Sequence, residues 1–247
     1  MIEKSDLYSN KLLNNDPWGQ KRATQILRRE RIVSCLKNTL PQKKYNSGID
    51  LACGAGYLSK DLSIFSDNLL LCDYSELIIN KTKLNTNNIF QYKINTLPNI
   101  IMDSTFDVVY AIEVLYYLDD IELDLFFNNV LKIMDSDSYL VISLDYTLKS
   151  SFLDRFIIIS ENKRYRSISK ILDYYYYLDR SINIYKKKKT DKIFFPLILK
   201  LSFLPIEFIC RLFYKSIFIA KTLNVLGRLF NLTHSRRLFI LQKKEND

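Results

Sequence analysis

Histidine is almost absent from this sequence. His234 is the only one, so a Cys/His metal centre has no set of ligands to draw on. Cysteine is sparse as well: Cys35, Cys53, Cys72 and Cys210 are scattered, with no C-x-x-C pair. That usage excludes a disulfide scaffold and predicts reduced thiols in the core of a cytoplasmic protein. No secretory signal is expected, because the start, Ile2-Glu3-Lys4-Ser5-Asp6, is polar. No internal repeat occurs. The apolar stretch at about 193–232 has no run of ~20 uncharged residues, which disfavours a simple transmembrane helix. The first 150 residues also lack any excess of positive charge. They carry 16 Lys and Arg against 19 Asp and Glu, whereas residues 151–247 carry 20 against 8. The net charge of +9 therefore belongs to the C-terminal part and argues for a partner surface there.

What is present is concentrated between residues 48 and 144. Gly48-Ile49-Asp50-Leu51-Ala52-Cys53-Gly54-Ala55-Gly56-Tyr57 runs from an apolar strand through an acid and two glycines into an amphipathic helix pattern. Glycine suits such a loop because a Cβ would block positive φ or the approach of backbone to a ligand. Nucleotide-like cofactors bind at junctions of this kind. The spacing is not G-x-G-x-x-G, which disfavours a nicotinamide oxidoreductase. Leu69-Leu70-Leu71-Cys72 reads as a second buried strand. It ends in Asp73, an acid placed to accept both hydroxyls of a ribose. The segment Phe106-Asp107-Val108-Val109-Tyr110-Ala111-Ile112 gives another strand, and Tyr139-Leu140-Val141-Ile142-Ser143-Leu144 one more. Apolar strands alternating with helical stretches predict a parallel sheet with helices on both faces. Ahead of the first strand, Asp16 is placed to N-cap a helix with Pro17 at its first position. Ile26, Ile32, Val33, Leu36 and Leu40 carry that helix to about residue 38.

In order and spacing, these segments resemble the class I S-adenosylmethionine-dependent methyltransferases over roughly residues 17–146. Asp50 to Gly56 is similar to their first motif, with Ala52 where the first glycine is usual. Asp73 is similar to their ribose-binding acid, Phe106-Asp107-Val108-Val109 to their fourth-strand signature, and Tyr139 to Leu144 to their fifth strand. A narrower resemblance rests on Asp16-Pro17-Trp18 ahead of a charged helix, and on Glu113-Val114-Leu115-Tyr116-Tyr117-Leu118. These are similar to the nodulation-type (NodS-like) N-methyltransferases, which act on the amine of a glucosamine-oligosaccharide intermediate. The resemblance implies an α/β fold: a doubly wound, mostly parallel seven-stranded sheet of Rossmann-like methyltransferase type. Its last strand would be antiparallel, inserted between the fifth and sixth, with a helical insertion before it. It also implies S-adenosyl-L-methionine as cofactor. Residues 1–148 would form the cofactor-binding core with an N-terminal helix, and residues 149–247 the C-terminal half of the fold.

Methyl transfer from a sulfonium is an in-line displacement, so the enzyme's main task is positioning. The resemblance implies that Ala52, Gly54 and Gly56 bring backbone to the cofactor. Asp50 either sits near the cofactor's amino group or ties down the loop, and the two roles are compatible. Asp73, followed by Tyr74, binds the ribose or else caps the helix begun by Ser75-Glu76. Asn95 lies beside the adenine amine, where an acid is usual, or is a plain loop asparagine. Glu113 follows the fourth strand at the edge of the sheet where ligands bind. There it orients an acceptor amine, takes its proton, faces the cofactor, or caps the next turn. Tyr116 and Tyr117 line the acceptor pocket or serve in packing. Glu113 and Tyr117 are thus the candidate catalytic residues, and Tyr116 and Trp18 the candidate acceptor contacts. Trp18, the only tryptophan, closes over the site or staples the first helix.

Beyond the fifth strand the pattern changes. Lys149 to Tyr177 reads as helix, Ser181 to Tyr185 as a sixth strand, and Arg237 to Lys243 as the final strand. At 100° per residue, Lys200, Glu207, Arg211, Lys215, Lys221 and Arg228 share an arc of roughly 140°, unless Pro205 breaks the helix. A basic amphipathic segment of this kind fits an anionic membrane surface, a cover over the acceptor, or a helical cap with a solvated face. The expected function is methyl transfer to an amine or hydroxyl of a small molecule or saccharide, in the cytoplasm and against the inner face of the membrane. The alternatives are an RNA methyltransferase and a non-enzymatic membrane adaptor on the same fold. Ala111-Ile112-Glu113-Val114 departs from the [DNS]-P-P-[YFW] loop that holds a flipped base, which disfavours nucleic acid. The retained Asp50, Gly54, Gly56 and Asp73 argue against an adaptor.

Overall fold

The computed structural model describes residues 20–21, 23–145, 165–175, 216–219, 221–222 and 236–243. Seven strands among them form one sheet: β1 (Tyr45–Asp50), β2 (Ser66–Asp73), β3 (Gln91–Ile94), β4 (Phe106–Ile112), β5 (Met134–Asp145), β6 (Tyr165–Tyr175) and β7 (Arg236–Lys243). Their order is β3-β2-β1-β4-β5-β7-β6. The first five are parallel, and β7 runs antiparallel to both β5 and β6. The last strand therefore enters between the fifth and sixth, as the family resemblance implies. The described helices are α1 (Ala23–Thr39), α2 (Tyr57–Leu62), α3 (Glu76–Asn85) and α4 (Asp120–Lys132).

Each central strand buries both of its faces, which is why these strands read as continuous apolar runs. Val108, Tyr110, Tyr139, Val141, Leu238 and Ile240 face one layer, where Leu27, Ile32 and Leu36 of α1 cover them. The alternate residues Val109, Ala111, Leu140, Ile142, Phe239 and Leu241 face the other layer, covered by Leu123, Phe126, Phe127 and Val130 of α4. The strict two-residue alternation thus fixes register, since a slip of one would exchange the two layers. Helix α4 starts where a capping box stops the chain from continuing as loop. The Asp119 carboxylate accepts from Glu122 N at 2.8 Å, and Glu122 Oε2 accepts from Asp119 N at 3.0 Å. At its other end, Lys243 of β7 donates Nζ to the carbonyls of Leu131 and Met134, tying the last strand to the end of that helix.

Two expectations need correction. Tyr165–Tyr175 is strand β6, whereas the sequence pattern reads as helix from Lys149 to Tyr177. Gln20 and Lys21 form a turn ahead of α1, so a helix opening at Pro17 does not run on unbroken to residue 38. Trp18, the strand expected at Ser181 to Tyr185, and nearly all of the basic insertion at 193–232 lie outside the described residues. Of that insertion, residues 217–219 and 221–222 are helical, and Lys221 pairs with Glu30 of α1 at 3.3 Å.

Candidate active site

The sheet order reverses between β1 and β4, and the carboxyl ends of β1, β2, β3 and β4 open on the same edge. Almost every described candidate residue lies there. Beyond Asp50, the chain is carried onward by Leu51 N donating to Tyr110 O and Cys53 N to Cys72 O, both at 2.9 Å. It then turns through Gly54 (φ 54°) and Gly56 (φ 76°) into α2. The two glycines are needed for different reasons. A Cβ on Gly56 would lie 2.7 Å from Thr82 Cγ2 and 2.8 Å from Thr86 Cγ2. At Gly54 no atom of the described residues, its chain neighbours apart, lies within 4 Å of the place a Cβ would occupy, so among them this side of the loop faces open space.

The loop is braced from α3. Thr82 Oγ1 donates to Gly54 O, and Asn85 Nδ2 donates to Ala55 O at 2.9 Å. Both braces went unread in the sequence. Thr82 and Asn85, one helical turn apart and following the second strand, were the available signal. Asp50 is buried at the tip of β1, where its Oδ2 accepts from Ser59 Oγ of α2 at 2.7 Å. Burial raises its carboxyl to about 6, against the lowering effect of the Ser59 and Ala52 hydrogen bonds. Asp73 is equally buried. One oxygen accepts from Gly54 N at 2.9 Å and the other from Tyr74 N at 2.8 Å. Desolvation raises it to about 6 as well, with the hydrogen bonds from Gly54, Tyr74 and Ser75 opposing. Asp50 therefore does tie down its loop, and Asp73 locks the glycine turn to the end of β2. The nearby thiols of Cys53 and Cys72 are buried and free, and burial pushes both upward, Cys72 to about 12.

Asn95 follows β3 and is buried beside Asp73, to whose carbonyl its N–H donates at 2.8 Å. Its Oδ1 accepts from Ile101 N at 3.3 Å, and Nδ2 has no hydrogen-bond partner among the described residues. The side of this amide that remains available is a donor, a polarity that suits a ring nitrogen rather than an exocyclic amine.

Glu113 follows β4 directly in the left-handed conformation, φ 59°, which a non-glycine side chain adopts at a cost. Ser143 of the neighbouring strand holds it at two points. The Ser143 carbonyl accepts from Glu113 N at 3.1 Å, and the Ser143 hydroxyl donates to Glu113 Oε1 at 2.6 Å. Ser143 is completely buried, and the strand register sets it opposite Ile112, the residue before Glu113. Its signal in the sequence was a hydroxyl in an otherwise apolar strand, which needs a buried partner. Tyr116 and Tyr117 follow in a 3-10 turn, their rings 4.6 Å apart; Tyr116 is half-buried and Tyr117 exposed. The glycine loop, Asp73 and Asn95 thus gather at the ends of β1 to β3, with Glu113 and the two tyrosines at the end of β4.

An α/β sheet of this order, with a glycine loop after β1 and an acid ending β2, defines the class I methyltransferase architecture. The family model of nodulation protein S (NodS) matches residues 2–145, more than half of the chain, and the protein belongs to this family. It is an S-adenosylmethionine-dependent methyltransferase. The NodS N-methyltransferase of Bradyrhizobium japonicum, solved with S-adenosylhomocysteine, is similar in fold. The TM-score is 0.61 at 15% identity, covering 97% of this chain and 98% of that one. The same enzyme in a second structure gives 0.58 at 14% identity, over 89% and 98% of the chains. A TehB-like methyltransferase of Corynebacterium glutamicum gives 0.51 at 13%, over 98% and 97%. None of the curated proteins compared by sequence matches. The residues present fit the cofactor: the open side of Gly54 leaves room for it, and Asn95 has an unused buried donor.

Proposed function

We propose that the glycine loop, Asp73, Tyr74 and Asn95 bind S-adenosylmethionine, and that Glu113, Tyr116 and Tyr117 present an amine of a small-molecule or saccharide acceptor to it. The cofactor, when bound, supplies a methyl group on a sulfonium. Ala52, Gly54 and Gly56 offer backbone on the open side of the loop, Asp73 accepts the ribose hydroxyls, and Asp50 keeps the loop in place through Ser59. Tyr116 and Tyr117 give the acceptor an aromatic wall suited to a sugar face or a cation. Glu113 orients the attacking amine and accepts its proton.

The observation that carries this reading is the clamped, left-handed Glu113. A glutamate kept in a costly backbone conformation by a buried serine, at the edge where α/β sheets bind ligands, fits a positioned functional carboxylate. Membership of the NodS family, and the N-methyltransferase activity in the name of its Bradyrhizobium relative, favour nitrogen over oxygen as the acceptor atom. The test is transfer of a labelled methyl group to glucosamine oligomers and to their N-acetylated counterparts. The reading requires transfer to the free amines and loss of that transfer in Glu113→Gln. Equal labelling of the N-acetylated oligomers would make the acceptor a hydroxyl.

We also propose that this cytoplasmic enzyme makes a peripheral contact with an anionic membrane surface through residues 193–232. Its support is the charge of the C-terminal part, 20 basic against 8 acidic residues, and the exposure of Phe218 and Ile217. No helix among the described residues is long and apolar enough to cross a membrane. Co-sedimentation with phosphatidylserine vesicles tests the contact, and a protein that stays in the supernatant at low salt does not make it.

A further inference from the structure

Arg29 of α1 carries a full charge, yet its side chain is only 12% exposed. A guanidinium is covered to that degree only where several partners receive it. Three do. Nε donates to Asp61 Oδ2 at 2.8 Å, Nη1 donates to the carbonyl of Gln20 at 2.7 Å, and the guanidinium carbon lies 5.8 Å from the ring centre of Tyr57. Tyr57 is the first residue of α2, directly after Gly56, and Asp61 is one turn further along the same helix. Gln20 stands in the turn that leads into α1. One planar cation therefore joins the start of α1 to the helix that anchors the glycine loop.

On that side Leu62 of α2 is buried in one cluster with Leu27, Ile32 and Leu36 of α1, and Arg29 adds a polar fastening. Thr82 and Asn85 brace the glycine loop from α3, and Ser59 ties α2 inward to Asp50. Arg29 ties α2 outward to α1 through both its first and its last turn. Helix α2 has six residues, too few to hold its own place without tertiary contacts. Asp61 is 42% exposed, so an ion pair made with it alone would be weak. The fork geometry of arginine adds the Gln20 carbonyl, and its flat face adds the Tyr57 ring.

We propose that Arg29 is a positioning residue for the cofactor site: it fixes α2, and through it the Gly54-Ala55-Gly56 turn, at the spacing the cofactor requires. The proposal rests on the assignment of that turn as the cofactor site.

The test is calorimetric binding of S-adenosylhomocysteine to the full chain and to Arg29→Ala, Arg29→Lys and Ile32→Val. Ile32 is fully buried on the same helix, faces the sheet, and serves as a control for general loosening. Arg29→Ala is expected to raise the dissociation constant about tenfold, within the range that residues acting at one remove from a ligand produce. Arg29→Lys, which keeps the charge but cannot reach all three partners, is expected to fall between Arg29→Ala and wild type. Ile32→Val is expected to lower the melting temperature while keeping wild-type affinity. Wild-type affinity in Arg29→Ala, or an equal loss in Ile32→Val, would overturn the proposal. Absence of binding by the folded wild type would instead overturn the cofactor site itself, and this proposal with it.

Discussion

Replacing each loop glycine by alanine separates the two demands on the turn. At Gly54 the backbone has φ 54°, and the position of an added Cβ is clear of the described residues to 4 Å, chain neighbours apart. Gly54→Ala therefore carries only the left-handed backbone cost, about 1–2 kcal/mol. At Gly56 the same backbone cost applies at φ 76°, and the Cβ meets two buried threonine methyls at 2.7 and 2.8 Å. Thr82 cannot rotate away without drawing its one hydroxyl proton from the carbonyls of Gly54 and Ile78, which share it. Overpacking of this kind adds about 1–3 kcal/mol, so Gly56→Ala should cost about 2–5 kcal/mol in all. Urea denaturation without ligand measures both costs. Calorimetry with S-adenosylhomocysteine then measures what each does to the site. The milder variant should be the informative one: Gly54→Ala stays folded but loses at least about tenfold in affinity, because its methyl group enters the space assigned to the cofactor. A Gly54→Ala protein with unchanged affinity would refute that assignment. A Gly56→Ala protein as stable as Gly54→Ala would refute the account of the packing beneath the loop.

Other outcomes follow from the same contacts. Burial raises Asp50 and Asp73 from 3.8 to about 6, so between about pH 4 and pH 6 the folded chain holds protons that the unfolded chain has released. Their contribution to stability falls as pH rises through that window and is level above it. The wild type should therefore lose ground to Asp50→Asn between those limits, and a difference independent of pH would contradict this. Ser143→Ala removes the donor to Glu113 Oε1, and methyl transfer to glucosamine oligomers should drop at least tenfold while cofactor affinity is kept. Asp119→Ala breaks the capping box of α4 and should lower stability by about 1 kcal/mol with cofactor affinity unchanged, read by denaturation and calorimetry.

The cofactor half of the fold was legible because it is built from long buried parallel strands. Ile49-Asp50, Leu71-Cys72-Asp73 and Val108 to Ile112 each announce a strand and mark its carboxyl end. Edge elements were harder to read. Among the described residues strand β6 has a partner on one side only, β7, and its register breaks at Ser167/Ser169, Ser169/Leu172 and Asp173/Tyr175. Bulges of that kind erase the two-residue period, and the spacing of Ile168, Ile171 and Leu172 then imitates a helix. The partners of the site were missed for another reason. Ser59, Thr82, Asn85 and Ser143 are common residues whose meaning depends on what lies opposite them in space. Arg29 likewise reads as one of many surface charges on an amphipathic helix until its three partners are seen together.

The proposed S-adenosylmethionine site at the ends of β1 and β2 has Asp73 as its ribose acceptor. Calorimetric titration of S-adenosylhomocysteine into the wild type and into Asp73→Ala tests it most directly. The wild type should bind at micromolar concentration, and a folded Asp73→Ala variant should lose that binding. A folded wild type that binds nothing, or an Asp73→Ala protein that binds equally well, would contradict it.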